Sequence, residues 1–333
     1  MRKSLILLLA LTLTSSLLLA GGMVHNSNQS AEYIAMMNRN ATTDLDAAFF
    51  NPAALTQLND GIHYYVSNQT VFQTRKVEAT FPAYNSDTFK GTTFAPLFPN
   101  LYLIWKNGKM AASAGFMPIG GGGSAEFPDG LPSFDYLLAR LVGLPAELVN
   151  EALEPYGNIT GYRVTASFTG SSVYYSGQGS FSYALNDMIS VAVGLRYLYA
   201  VNTYDGSLTD AALENDSGAG DITGVIPDIT VDSRRTGSGI TPILNLNLSP
   251  TDAIDFSVRF EPKTKLVMTS DTEEDGTSAV LDEPMFPDST DYNEDLPMQL
   301  SFGLGYRLSE KLAFQGSFDF WDNTAVNWDG RED

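Results

Sequence analysis

The sequence predicts an all-β fold: a transmembrane antiparallel β-barrel with a plug segment at its N-terminal end. Three observations carry that prediction. From Gly61 onward, runs of about ten residues alternate apolar and polar side chains, the length and period of a tilted membrane-spanning strand. The connections between runs are short and long in turn, as in barrels with tight turns on one side and long loops on the other. The polar side of the alternation also carries charged groups, among them Arg196, Arg259, Glu261 and Arg307, that a dry soluble core would not hold unpaired.

Residues 1–20 read as a secretory signal peptide. Arg2 and Lys3 form the basic start, Leu5 to Leu13 is an apolar run, and Leu17 to Ala20 precede Gly21-Gly22, with cleavage expected near Ala20. Residues 21–60 are polar and rich in small side chains, without a two-residue period. They end in Phe49-Phe50-Asn51-Pro52-Ala53-Ala54-Leu55, where Asn-Pro marks a turn because proline restricts the residue before it.

Nine alternating runs follow, at roughly 61–73, 94–106, 109–119, 162–185, 188–202, 237–249, 253–269, 296–308 and 311–321. In 189–201, Ile189, Val191, Val193, Leu195, Tyr197, Tyr199 and Val201 share one face, expected to meet lipid. Ser190, Ala192, Gly194, Arg196 and Ala200 share the other, and Leu198 breaks the pattern. The fourth run is overlong and is expected to include part of a loop. Lys106-Asn107-Gly108-Lys109, Asn186-Asp187, Ser249-Pro250-Thr251-Asp252 and Ser309-Glu310 read as tight turns. Long loops are expected near 74–93, 120–161, 203–236 and 270–295. The second of these carries an apolar stretch at 131–154, read as one or two short amphipathic helices broken near Gly143-Leu144-Pro145.

Composition narrows the function. There is no Cys, so disulfides and thiolate metal sites are excluded, and two His leave little room for imidazole chemistry. A net charge of -20 repels nucleic acid. No Gly-x-Ser-x-Gly, Walker loop or His-Glu-x-x-His is present, so neither an enzyme nor a cofactor is expected. Loop 270–295 holds ten acidic residues and no Lys or Arg. Asp271, Glu273, Asp275, Gly276 and Asp282 match a calcium loop only loosely. A solvated acidic loop, bridged by divalent ions at the lipopolysaccharide surface, is the simpler reading, and no metal site is assigned.

Three stretches carry a resemblance to a known family. The first is Asn28-Gln29-Ser30-Ala31-Glu32-Tyr33, then Arg39-Asn40-Ala41, then Asp46-Ala47-Ala48-Phe49-Phe50-Asn51-Pro52-Ala53. The second is Phe94-Ala95-Pro96 with Phe98-Pro99-Asn100-Leu101-Tyr102, a hairpin turn and Gly115. The third is Leu296-Pro297, opening a strand after the Tyr-rich hairpin at 174–199. In this order the sequence resembles the FadL/TodX-type outer-membrane transporters of long-chain fatty acids and other hydrophobic compounds. The resemblance implies a fourteen-stranded, monomeric, multi-pass barrel in the bacterial outer membrane, with a plug and a sideways exit for ligand beside a kinked third strand. With nine runs legible, 61–333 is expected to be an incomplete barrel, and the sequence reads as part of a longer protein.

Candidate residues follow. Phe49, Phe50, Asn51, Pro52 and Ala53 are expected either to touch the ligand path, as the resemblance implies, or to fix the plug as a turn. Met117, Pro118, Ile119, Gly120, Gly121, Gly122 and Gly123 end the third run. A proline without a donor and four glycines weaken strand pairing, which predicts either a lateral gate or a flexible loop beyond the strand. Phe134, Tyr136, Leu137, Leu141 and Leu148 are expected to form an outer apolar landing groove or a self-packed lid. The transporter reading competes with a structural or adhesive barrel and with an open porin, against which the plug argues.

Overall fold

A computed structural model describes residues 28–148, 151–279, 284–309 and 311–327. The expected signal peptide, 1–20, lies outside the described residues, as do 21–27 of the plug segment. The wall is built from β1 (Gly61–Glu78), β2 (Thr88–Asn107), β3 (Met110–Phe127), β4 (Ile159–Ala184), β5 (Ile189–Asn215), β7 (Ile229–Thr251), β8 (Ile254–Glu261), β11 (Met298–Ser309) and β12 (Leu312–Asp322). These nine pair in that order, antiparallel throughout. Among the described residues β1 and β12 are the two edges. β6 (Ile222–Thr223), β9 (Val267–Asp275) and β10 (Asp291–Asn293) add short ladders on the long-loop side.

The alternation sorts side chains as expected. Val193 and Leu195 are each 57% exposed and Tyr197 52%, whereas Ser190, Ala192 and Arg196 between them are buried. An exposed apolar wall face and a buried polar inner face fit lipid outside and a filled lumen inside. Leu198 breaks the sequence pattern because it faces inward and packs, fully buried, in the plug core.

Two expectations about length are corrected. The fourth run was expected to spill into a loop, yet β4 is a continuous strand of 26 residues and β5 one of 27. A strand needs only about 9–11 residues to cross a bilayer. These hairpins are therefore longer than a bilayer crossing requires, and much of the expected loops 74–93 and 203–236 is paired strand. The run 253–269 is not one strand either. β8 stops at Glu261, before Pro262, which cannot donate to a ladder. The chain rejoins β7 further along as β9, pairing Ser238 with Val267.

Residues 28–60 lie against the inner face. They form α1 (Ala31–Ala35), α2 (Ala47–Phe50) and a 3-10 turn at Pro52–Gln57, which touches β2, β3, β4, β5 and β7. Arg39 organises the bend between the helices, its guanidinium binding Asp46 at 2.6 Å and Asp44 at 2.8 Å. At the long-loop end, the stretch expected to be helical holds α3 (Pro132–Ala139) and 3-10 turns at Ala146–Leu148 and Glu151–Tyr156. Leu138, Ala146, Leu153, Tyr162, Leu208 and Leu213 join there in a second core that caps the long-loop end.

Candidate functional site

The inner face is polar because it is a socket for the backbone of the plug. The end of α2 leaves the carbonyls of Ala48 and Phe49 without helical partners, and wall side chains meet these and two carbonyls of the turn after it. Gln178 Nε2 donates to Ala48 O at 2.8 Å, Arg259 Nη1 to Phe49 O at 2.9 Å, and Ser182 Oγ to Pro52 O at 2.7 Å. Ser190 Oγ donates to Ala53 O at 2.8 Å, and Ala53 N–H to Asn245 Oδ1 at 2.7 Å. The Asn51 amide donates to Thr42 O and Asn247 Oδ1 and accepts from Ser257 Oγ. Asn51 therefore ties the plug to both β7 and β8.

Phe49 is held by charge. Its ring lies against the guanidinium groups of Arg196, at 4.9 Å, and Arg259, at 4.8 Å. Both are buried, and Glu261 binds both, taking Arg196 Nη1 at 2.7 Å and Arg259 Nε at 2.7 Å. Cations against an aromatic ring are favourable where water is excluded, and the shared carboxylate offsets their mutual repulsion. Phe49 meets Phe50 edge to face, and the pair packs in one core with Met117, Ile119, Tyr174 and Leu198. The plug and the third strand are thus one packed unit.

The wall is interrupted next to that unit. β2 pairs with β3 from Asn107–Met110 to Leu101–Phe116, then only again at Thr92–Glu126. Residues 93–100 and 117–125 face each other without ladder pairing. The cause is local chemistry. β2 carries Pro96 and Pro99 in this stretch and β3 carries Pro118, so three backbone donors are missing. Each strand is instead secured to its other neighbour. Asn68 Oδ1 accepts from Phe98 N–H at 2.9 Å, and Thr70 Oγ1 donates to Pro96 O at 3.0 Å. On the far side β3 bulges twice against β4, between Pro118 and Gly120 and between Gly121 and Gly123. Gly121 (φ +85°) and Gly123 (φ +70°) hold left-handed conformations that suit glycine at such bulges. The four glycines therefore lie inside β3, which continues to Phe127, and are not a loop beyond its end.

Above the plug, toward the long-loop end, lies a cavity of about 540 Å³. Phe134 of α3, Phe168 of β4, Tyr204 and Leu208 of β5, Val231 of β7 and Phe286 are among its lining residues, and the lining is almost wholly apolar. Its size falls within the range of about 300–1,000 Å³ usual for small-molecule sites. A polar contact fastens the cap beside it. Tyr162 Oη donates to Asp135 at 2.9 Å and accepts from Asn85 N–H. Burial pushes the Asp135 carboxyl above its ordinary range, and the hydrogen bond from Tyr162 opposes that only in part.

No family model and no curated protein matches the sequence. Solved structures match its shape. A Pseudomonas aeruginosa FadL homologue aligns with a TM-score of 0.55 and 15% identity, over 91% of this chain and 70% of that one. The Ralstonia pickettii toluene transporter TbuX aligns at 0.50 and 16%, over 83% of this chain and 66% of that one. The fold is that of a FadL-type barrel.

Within this FadL-type fold, the structure brings together two of the three sequence-predicted groups. Phe49 to Ala53 are all buried in the socket, and Met117 and Ile119 pack on them at the interruption. The third group is divided. Phe134 lines the outer cavity and Leu141 packs on the cap core, while Tyr136 and Leu148 are exposed. Leu137 belongs to α3. Sequence reading did not single out Arg196, Arg259 and Glu261 as a site, although charges at inward positions were the available signal. Pro96 and Pro99 were also missed as one side of the interruption. Tyr204, Val231 and Phe286 carry no local signal for the cavity they share.

Proposed function

We propose that this chain is an outer-membrane passive transporter of hydrophobic small molecules. An apolar ligand enters the outer cavity, passes the plug as Phe49 and Phe50 yield, and leaves sideways between β2 and β3 into the bilayer. No energy source is called for, so flux follows the gradient. The observation that carries the reading is the break in the β2–β3 ladder, 93–100 against 117–125, beside the plug core. A break in the ladder between two neighbouring wall strands is costly in lipid, so an interruption there needs a use. The FadL-type fold adds support, and one structural neighbour is by name a toluene transporter. Fatty acids and aromatic hydrocarbons both suit an apolar cavity. We place the chain in the bacterial outer membrane as a multi-pass monomer with lipopolysaccharide around it.

The test is a single side chain in the interruption. A Cβ on Gly122 would meet only the end of the Arg75 side chain, at 3.0 Å, so Gly122→Val adds β-propensity without a backbone clash. Cells that depend on the full-length protein should then take up dodecane or toluene severalfold more slowly at equal surface abundance. Uptake at the wild-type rate would remove the lateral route.

A further inference from the structure

Where β2 breaks from β3, its join to β1 is also irregular. β1 places Thr70 alone opposite Pro96 and Leu97, between the Gln69–Phe98 and Val71–Ala95 pairs, so β2 bulges there. Two residues before Thr70, Asn68 faces Pro99, which has no N–H to give. Left to backbone alone, residues 95–99 would be poorly held on both sides.

A side chain makes good the join to β1. The Asn68 amide accepts from Phe98 N–H at 2.9 Å and donates to Pro96 O at 3.1 Å, so it meets one donor and one acceptor as a strand backbone would. Thr70 Oγ1 donates to the same carbonyl at 3.0 Å and accepts from Asn68 Nδ2 at 3.3 Å. Both residues are exposed on the outward face, in line with Ile62, Tyr64, Val66 and Phe72. Polar side chains in an apolar outward row are costly in lipid unless bonded, and these two are bonded to the bulge. Across the break there is contact without a ladder: a Cβ on Gly123 would lie 3.4 Å from Ala95 Cβ. The bulge is thus fastened on the β1 side and rests on the β3 side.

We propose that Asn68 is a positioning residue for lateral passage: its amide holds the β2 bulge to β1 and against β3, so the wall is shut at rest and parts only between β2 and β3. The proposal rests on the lateral route proposed above and adds what decides where the wall parts and how easily.

The test is uptake of dodecane and toluene by cells that depend on the full-length protein, with each variant at equal surface abundance. Asn68→Leu suits the apolar row and makes neither bond. It should raise uptake about fivefold or more, the order expected from one or two hydrogen bonds lost out of water. Thr70→Val removes one bond to Pro96 O, should raise uptake by a smaller factor, and serves if Asn68→Leu fails to reach the surface. A covalent clamp then separates positioning from a general fault. Val71 and Ala95 are directly opposed on β1 and β2, and such pairs lie about 4.5–5.5 Å apart at Cα, within reach of a disulfide. The chain has no Cys of its own. In the Asn68→Leu background, the oxidised pair Val71→Cys with Ala95→Cys should return uptake to the wild-type rate, and reduction should raise it again. Unchanged or slower uptake in Asn68→Leu, or fast uptake that the oxidised pair does not slow, overturns the clamp, and the lateral route still stands if Gly122→Val slows uptake. If neither Asn68→Leu nor Gly122→Val alters uptake, the lateral route falls and the clamp with it.

Discussion

Replacing Glu261 by Gln leaves two buried guanidinium groups beside Phe49 without the carboxylate that both of them bind. The Arg196 and Glu261 side chains are 1% and 5% exposed, and Arg259 is 3% exposed, so water cannot take over. Removing one partner of a buried ion pair costs about 3–5 kcal/mol, because the remaining charge stays buried. The strain falls first on the plug, since Arg259 also holds Phe49 O and both cations rest on the Phe49 ring. If the loss is confined to plug docking, the undocked population rises roughly a hundredfold to several-thousandfold. The chain has no Cys, so one introduced thiol gives a clean readout. Ala53→Cys places it on a fully buried position of the plug, and Ala139→Cys places a second reporter in the outer cap, 1% exposed. Labelling by a water-soluble maleimide tracks the open population when closing is fast. Glu261→Gln should accelerate labelling at position 53 by two to three orders of magnitude and leave position 139 unchanged. A change below about threefold at position 53, or equal acceleration at both positions, would refute the charge clamp.

Asn51→Ala should loosen the same plug more than Pro52→Ala. It removes a donor to Thr42 O and Asn247 and an acceptor for Ser257, about 1–3 kcal/mol for each buried group left unsatisfied, as read by thermal unfolding in detergent. Pro52→Ala keeps the carbonyl that Ser182 binds, and it should alter uptake without blocking membrane insertion. Gly121→Ala should fail where Gly122→Val folds: its φ is +85° and a Cβ would lie 2.1 Å from Ser172 O, so the heat-modifiable folded band on electrophoresis should be lost. The cap should respond to pH through Asp135. Its pKa is raised in the folded cap, so the folded state binds the proton more readily. The stabilisation is full below the unfolded carboxylate range and is lost as pH rises through the raised value. Protection factors for amides 132–139, exchange rates corrected for their intrinsic fall with pH, should therefore rise on acidification toward about pH 4, and Asp135→Asn should abolish that rise, whereas an unchanged slope would assign it elsewhere.

The sequence by itself determined where the wall strands run and which side of each faces out. A bilayer demands an apolar face and the two-residue period of a strand writes it plainly, as at Val193, Leu195 and Tyr197. It also marked the plug, where that period is absent and Asn51-Pro52 turns the chain. The strand ends were not legible. Toward the long-loop end both faces of a hairpin meet protein or water, so β4 and β5 continue as strands without the alternation that announces one. The tertiary structure alone decided that Gly120 to Gly123 lie within β3, that the interruption forms where Pro96 and Pro99 come opposite Pro118, and that Leu198 belongs to the plug core. Each depends on register between segments far apart in the chain, which no local pattern records. The outer cavity is the extreme case. Phe134, Phe168, Tyr204, Val231 and Phe286 come from different elements, and only the pairing of β4, β5 and β7 under the α3 cap turns them toward one space.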